Sequence, residues 1–450
     1  MKKRLFKFIT LILALCFILS AFAGCNKMAK FDIGDLPIVE ITTQGGKQPK
    51  NKTDYVNCSF SISNCEDPKD DFSVEMKSDI DQDDSVGIRL RGNSTMQYDK
   101  KPYRIKFDKK QSLFGNKKNK NWVLLADYLD TSKIRNYTAF KLASEFENLD
   151  FTPDPHHVVL YLNGECKGLY LMCEQIDEKE GRANVEVDEI NPDTQDEFPF
   201  LIEMDRNAHK EGVTGIDNFN TGYFQPIEIK YPEQDERGLT DGAQTDEIFD
   251  YIKGYMTAVF ETLTTGNSVQ FMGESKAFED LVDVDSFIEY YLVNEVMFNK
   301  DSTWGSIYMH KTASGKLKFG PVWDFDWSVS DTWTNQPYGA PEKNVAKKFC
   351  HLDKKTPFTY FIQNQENFEK VCDAWDDVKE NLLDVAVHLG EYKEKISVAS
   401  KVDLNFWHGN SVSSNFDTQY DFIRMYLLDR YTFLSKKLVS TNYNEFLFKN

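Results

Sequence analysis

The chain has 450 residues, 41% hydrophobic and 14% aromatic, enough to bury one large core or two coupled ones. With 72 acidic against 53 basic side chains its formal net charge is −19. It therefore lacks the basic field that neutralises phosphates, no nucleic-acid partner is expected, and cations or basic protein segments are the better electrostatic matches.

The first 24 residues read as an export signal: a basic start, an apolar run too short for a comfortable membrane span, then small residues. The ending "FAGC" resembles the lipobox of bacterial lipoproteins, with Phe22 where Leu is usual. The resemblance implies cleavage before Cys25, lipidation of Cys25 and attachment to the extracytoplasmic face of the membrane, with plain secretion as the alternative. Removing residues 1–24 takes away Lys2, Lys3, Arg4 and Lys7 and no acidic residue, so the net charge of −19 becomes −23. Residues 25–35 then form a tether. Beyond Cys16 and Cys25 six cysteines remain, an even set that permits disulfides in an exported chain. Read as a fold-back, "NCSFSISNC" pairs Cys58 with Cys65. No Cys/His spacing suggests zinc.

Residues 36–85 alternate in polarity between Gly and Asn turns and predict a small sheet, ahead of a main domain over 86–440. "VGIRLRGNST" and "KPYRIKFDKK" give two more strands. In the second, Tyr103, Ile105 and Phe107 face one way and Arg104 and Lys106 the other. "NWVLLADYLDTSKIRNYTAFKLASEF" turns helical, with Asp130, Thr131 or Ser132 as candidate caps. "HHVVLYLNGECKGLYLMCEQID" is a hairpin around Asn-Gly, and "FPFLIEMD" a strand ending in acids. Residues 241–298 are mostly helical; the final helix starts at Asp285 and carries Glu295 on its apolar face beside Ile288, Tyr291, Leu292 and Phe298. A loop rich in Asn, Pro and Gly follows over 331–345, then helices to the end. The order predicts an α+β, two-lobed fold with a β-rich first half, a hinge-like middle and a helical second half.

The chemistry concentrates in "FNKDSTWGSIYMHKTASGKLKFGPVWDFDW", residues 298–327. A hairpin between Asp301 and Asp324 would return both carboxylates to one edge. One could accept a hydroxyl proton while the other holds a divalent cation on phosphate oxygens. Two other readings stay open: a Trp-rich corner braced by Asp side chains, the commoner case for Asp beside Trp, or a glycoside hydrolase with carboxylates flanking a sugar stacked on Trp. Composition does not separate the three.

"RGNST" with "KKPYRIKF", "WVLLADYLDTSKIRN", "VVLYLNGECKGLYLMCEQI", "FLIEMD", "NEVMFNKD" and "FGPVWDFDWS" occur in an order that resembles the CotH family of atypical, spore-coat-type protein kinases, over Arg91 to Ser328. The resemblance implies a reduced kinase-like fold transferring the γ-phosphoryl of ATP, with Mg²⁺ or Mn²⁺, to Ser or Thr of an exported, possibly basic and Ser-rich protein. It implies Asp301 as catalytic base, Asp324 as metal ligand and Asp326 as second ligand or support. Arg104 or Lys106 would contact the nucleotide phosphates, positioned by Glu174. Glu295 and Asn299 would support the catalytic turn, and Trp304 or Trp323 would stack on the base. Arg91 and Asn93 fall where kinases have a glycine-rich loop, with only Gly92 present. The position five beyond Asp301, where kinases place a metal-binding Asn, is Ser306. The family's surface adhesins leave a second expectation, a catalytically silent binder of protein or cell-wall glycan.

Overall fold

The structure, a computed structural model, describes residues 34–444 except 81, 192–194, 211–213, 235, 238–246, 331–343 and 353–354. Cys25 and most of the Asn/Pro/Gly-rich loop lie outside the described residues.

Eight strands form the first sheet: β1 (Ile38–Thr43), β2 (Val56–Ser63), β3 (Phe72–Val74), β4 (Val86–Leu90), β5 (Tyr103–Gln111), β6 (Asn119–Leu125), β7 (His156–Leu162) and β8 (Glu165–Glu174). The order β1-β7-β8-β6-β5-β4-β2 is closed by a β1–β2 pairing, and β3 adds to the outer edge of β2, so the predicted strands form a barrel-like sheet. Closure depends on a parallel pairing of β1 with β7, Ile38 opposite Val159. Period-2 alternation then sorts the side chains. Ile105, Phe107, Phe60, Ile88, Trp122 and Met172 fill the interior, while Arg104 and Lys106 point out.

The outer face of β6, β7 and β8 is itself buried. Val123, Val159, Leu171 and Cys173 pack into the core of the helical half. Both faces of β8 are therefore covered, which explains why "LYLMC" is a continuous apolar run rather than an alternating one. The Asn163-Gly164 turn has φ of 54° and 76°, the left-handed pair that a tight hairpin needs.

The second half holds a sheet in which the predicted "FPFLIEMD" strand and the hairpin between Asp301 and Asp324 join two strands that were not predicted. It is built from β9 (Phe200–Met204), β10 (Asn218–Phe219), β11 (Ile227–Tyr231), β14 (Ile307–Lys311) and β15 (Lys318–Phe319), in the order β10-β11-β9-β14-β15. A separate hairpin joins β12 (Val269–Phe271) to β13 (Glu274–Lys276). Helices α1 (Arg135–Ala143), α2 (Glu247–Thr265), α3 (Val284–Val296), α4 (Pro357–Ile362), α5 (Gln365–His408) and α6 (Phe416–Lys437) complete the fold. One apolar core runs from the barrel's outer face through all six helices. The chain is thus α+β, with a closed β half and a helical half joined by shared core.

Three local expectations change. "NCSFSISNC" is one extended strand, not a fold-back: Cys58 lies inside the barrel and Cys65 beyond the end of β2, both free thiols. Seven residues of strand span about 23 Å, far beyond disulfide reach. The cap of α3 is Asp283, whose carboxylate accepts from Ser286 N at 3.0 Å, two residues before the expected Asp285. At α1 the N-cap residue is Ile134, but Asp130 reaches forward to accept from Arg135 N at 2.8 Å, so the expected acid serves the helix from one turn earlier.

Candidate active site

Helix α3 ends at Val296, and Phe298 then turns with φ 45° into a single 3-10 turn, Lys300–Thr303, which carries Asp301. Trp304 N and Gly305 N donate to Asp301 O at 2.7 and 3.1 Å, closing that turn. The chain runs out along β14, back along β15, and reaches Asp324, itself held at φ 66°. Such a backbone is costly for an L residue and persists only where surroundings fix it. Here they do: Asn136 on α1 accepts from Phe325 N at 2.8 Å and donates to Asp127 at 2.9 Å. Val329 N donates to Met297 O at 2.8 Å, tying the end of the motif to the end of α3. Three of the quoted sequence blocks thus meet in a few hydrogen bonds.

The expected hairpin does return the carboxylates to one place. Burial, then Asp324 and to a lesser degree Asp205, raise the Asp301 pKa to about 7 against the opposing Arg206. Asp326 is driven well above the usual carboxylate range by burial and then by Asp324, Asp301, Asp127 and Asp130. Asp324 is raised by burial despite Arg91 and a 3.1 Å hydrogen bond from Ser306 Oγ. Ser306 therefore does face the Asp324 carboxylate. A further acid belongs to the group. Asp205, which ends "FLIEMD", is raised by burial and feels Asp324, and a Cβ on Gly305 would come within 2.3 Å of its Oδ2.

Across from these acids lies the outer face of the barrel. Arg91 lies over the Trp323 ring at 5.2 Å and lowers the Asp324 carboxyl. Behind it, Arg89 and Arg104 are register partners on β4 and β5. Burial, then Arg89 and Arg91, depress the Arg104 guanidinium against the help of Tyr55 and Asp177. Arg89 Nε and Arg104 Nε are both buried without a hydrogen-bond partner. Lys106 is exposed farther along β5, near Tyr55. Asn93 accepts from Lys52 on the surface at 2.8 Å. A cleft between these layers is lined by Arg91, Tyr98, Asp127, Tyr128, Asp324 and Asp326.

Glu174 is not the partner of this basic row. Ile105, Trp122 and Glu174 are consecutive register partners, so Glu174 shares the inward face while Arg104 and Lys106 face out. It accepts from Asp154 N at 2.8 Å and pairs with Arg182 at 3.6 Å. Trp323 is buried against Phe140, whereas Trp304 is 39% exposed beside Arg206. Trp304 is the more exposed of the two, but it is Trp323 that lines the cleft.

The model of the family described as CotH kinase protein matches residues 88–434. The chain belongs to the CotH kinase family. No curated protein matches it. The match covers every residue described above as part of the site and continues into α6. Asp205, Arg206, Arg89 and Asn136 went unassigned by sequence reasoning; the acid ending "FLIEMD" and the "RLRG" run were the available signals.

Glu295 and Asn299, expected as supports, are both buried under the turn. Asn299 Nδ2 donates to Asn294 Oδ1 at 3.0 Å, and Glu295 pairs with His351 and Arg430. Among the described residues no three His, Cys, Asp or Glu side chains form a ready-made metal cage. The mutually repelling Asp301, Asp324 and Asp326 instead suit a cation that arrives with phosphate oxygens and takes only one or two protein carboxylates, the usual habit of Mg²⁺.

Proposed function

We propose that the chain is an exported, lipid-anchored Ser/Thr protein kinase that transfers the γ-phosphoryl of ATP to a basic, Ser-rich extracytoplasmic protein. One observation supports the reading: a buried, mutually repelling set of carboxylates, Asp301, Asp324 and Asp326, faces Arg91 and the Arg89–Arg104 pair, whose Nε atoms have no hydrogen-bond partner among the described residues, in a strongly acidic chain. Opposed acid and base layers of this kind suit a metal-chelated polyphosphate. Arg91 and Arg104 hold the phosphates, with Lys106 at the outer end. Asp324 and Asp326 would hold Mg²⁺ or Mn²⁺, whose chemistry is to neutralise charge on the β and γ oxygens. Asp301, with a pKa near neutrality, accepts the acceptor's hydroxyl proton.

The test is transfer of label from γ-labelled ATP to the mature protein or to a basic Ser-rich peptide, with Mg²⁺ or Mn²⁺. Label in either supports the kinase; none under any condition leaves the silent surface binder. The anchor is tested separately. Wild type should sediment with membranes and Cys25→Ser should appear in the medium; a soluble wild type removes the anchor and leaves the kinase reading intact.

A further inference from the structure

Beneath the Asp301 turn lies a sealed chain of side chains. Glu295 on α3 is completely buried and ion-paired with Arg430 of α6. It also accepts from Cys350 N at 2.7 Å and from His351 Nδ1 at 2.9 Å. With Nδ1 committed to the carboxylate, His351 Nε2 lies 2.9 Å from Ser302 Oγ. Ser302 Oγ is in turn 2.7 Å from Asn299 O. Ser302 is the residue immediately after Asp301.

The connectivity Ser–His–Glu is that of a nucleophilic triad, but Ser302 is 4% exposed and His351 1%. No substrate reaches them, so the arrangement does not cleave esters or amides. What it can do is hold position. The His351 ring is wedged between Phe358 and Tyr291, at 5.0 and 6.0 Å. Thr359 Oγ1 donates to the His351 carbonyl, fixing the backbone on the other side. The turn is also closed by backbone bonds to Asp301 O and by Thr303 Oγ1 donating to Lys300 O, and at its far end Arg206 N donates to Trp304 O at 2.8 Å. Ser302 adds the side-chain tie that joins the turn to His351 and, through it, to Glu295 and Arg430.

We propose that His351 is a positioning residue: through Ser302 it fixes the orientation of Asp301, with Glu295 and Arg430 fixing His351. The catalytic half of this inference rests on Asp301 being the base; the structural half does not. The chain also links α3, the 344–352 segment and α6 to one catalytic turn, so that a displacement in any of them reaches Asp301.

The experiment compares wild type with Ser302→Ala, His351→Phe and His351→Gln, reading amide hydrogen exchange and phosphoryl transfer on the same preparations. Phe keeps the ring packing and loses both hydrogen bonds; Gln can restore them. Exchange at residues 299–306 should quicken about tenfold or more in Ser302→Ala and His351→Phe, while α5 amides stay near wild type, because local opening is set by local ties. Transfer should fall roughly 10- to 100-fold with the Kd of Mn²⁺-ATP within about threefold, the pattern of a misplaced reacting group. His351→Gln should recover part of both. Unchanged exchange in the folded variants overturns the relay. Faster exchange with wild-type turnover overturns the positioning role. If wild type transfers no phosphoryl group, the kinase reading falls, and exchange alone decides the relay. Should Ser302→Ala fail to fold, the Phe and Gln pair at 351 still separates the outcomes.

Discussion

Two buried clusters of charge lie within a few residues of each other, and they treat aspartate in opposite ways. In the first, Asp403 of α5 is fully buried between Lys100 at 2.9 Å and Lys133 at 3.0 Å, and also accepts from Leu169 N at 3.0 Å. Lys100 donates to Leu169 O and Lys133 to Asp127 O, so both cations are satisfied. Burial raises the Asp403 pKa, but the two lysines outweigh it and the carboxyl ends below its usual range. In the second, Asp326 is driven the other way by burial and by four further carboxylates. Every group in the first cluster has a partner, and the cluster pins the barrel to the long helix α5. Gly168, at φ 94°, is needed there because a Cβ would come within 2.2 Å of Asp403 Oδ1. The second is left short of positive charge and open to a cleft. A compensated cluster holds structure, whereas an uncompensated one is poised for a ligand that supplies what is missing.

The largest expected effect breaks the second cluster chemically. Asp301→Asn keeps size and hydrogen bonding but cannot accept a proton. It should lower phosphoryl transfer by about 100- to 10,000-fold, the usual worth of a general base, with ATP affinity within about a few-fold of wild type. Parallel measurement of turnover and nucleotide Kd decides this. Wild-type turnover would place the base elsewhere; lost binding would make Asp301 a metal ligand. Next is Asp403→Ala, which strands Lys100 and Lys133 in the interior. Leaving a buried charge unpaired costs about 3–5 kcal/mol, to be read as a lower urea midpoint. A midpoint within error of wild type would mean the lysines find other partners, and the contrast between the clusters would collapse.

Much of this architecture was written locally. The alternation in "YRIKF" put Ile105 inside and Arg104 outside; Asn163-Gly164 made a hairpin; the spacing of Asp301 and Asp324 about a hairpin brought them together. What local pattern does not encode is which distant strands meet. Barrel closure depends on β1 pairing with β7, and the second sheet on β9 pairing with β14, each about a hundred or more residues apart. Glu174 was misassigned for the same reason: its face relative to Arg104 is set by register across β5, β6 and β8, which no single strand reveals. The Cys58–Cys65 pairing failed because the inward series Cys58, Phe60, Ile62 is a period-2 strand signal that outweighs the Asn residues beside the cysteines.

A smaller effect concerns the basic layer. Arg91→Ala removes the guanidinium that lowers the Asp324 carboxyl, and Arg104→Ala one that sits among Arg89, Arg91, Tyr55 and Asp177. A charged hydrogen bond to phosphate is worth about 1.5–3 kcal/mol, so each change should weaken Mn²⁺-ATP binding by roughly tenfold or more, measured by calorimetry. Lys106→Ala should do less because Lys106 is exposed. Equal losses at all three positions would mean that the row acts as a diffuse field rather than as a phosphate cradle.

The smallest effect is on the stability of the unliganded protein, and its sign is what distinguishes the clusters. Asp301 has a folded pKa of about 7, above its unfolded value, so the stability gained by protonating it is fully present below about pH 4 and is lost as pH rises through 7. The wild-type Tm without metal should therefore fall between about pH 4 and pH 7 and level off above that. Asp324→Asn keeps an acceptor for Ser306 Oγ but removes the charge that raises both Asp301 and Asp326. It should raise Tm at pH 8 by about 2 °C or more, as expected for relief on the order of 1 kcal/mol, and flatten the pH dependence between about pH 4 and pH 7. Asp403 behaves oppositely. Its depressed carboxyl contributes stability above the unfolded value near 4 that is lost only as pH falls below it, so Asp403→Asn should lower Tm at pH 8. A Tm that drops in both variants would mean that Asp324, like Asp403, is a brace, and the acidic floor would then be part of the scaffold rather than a site awaiting a cation.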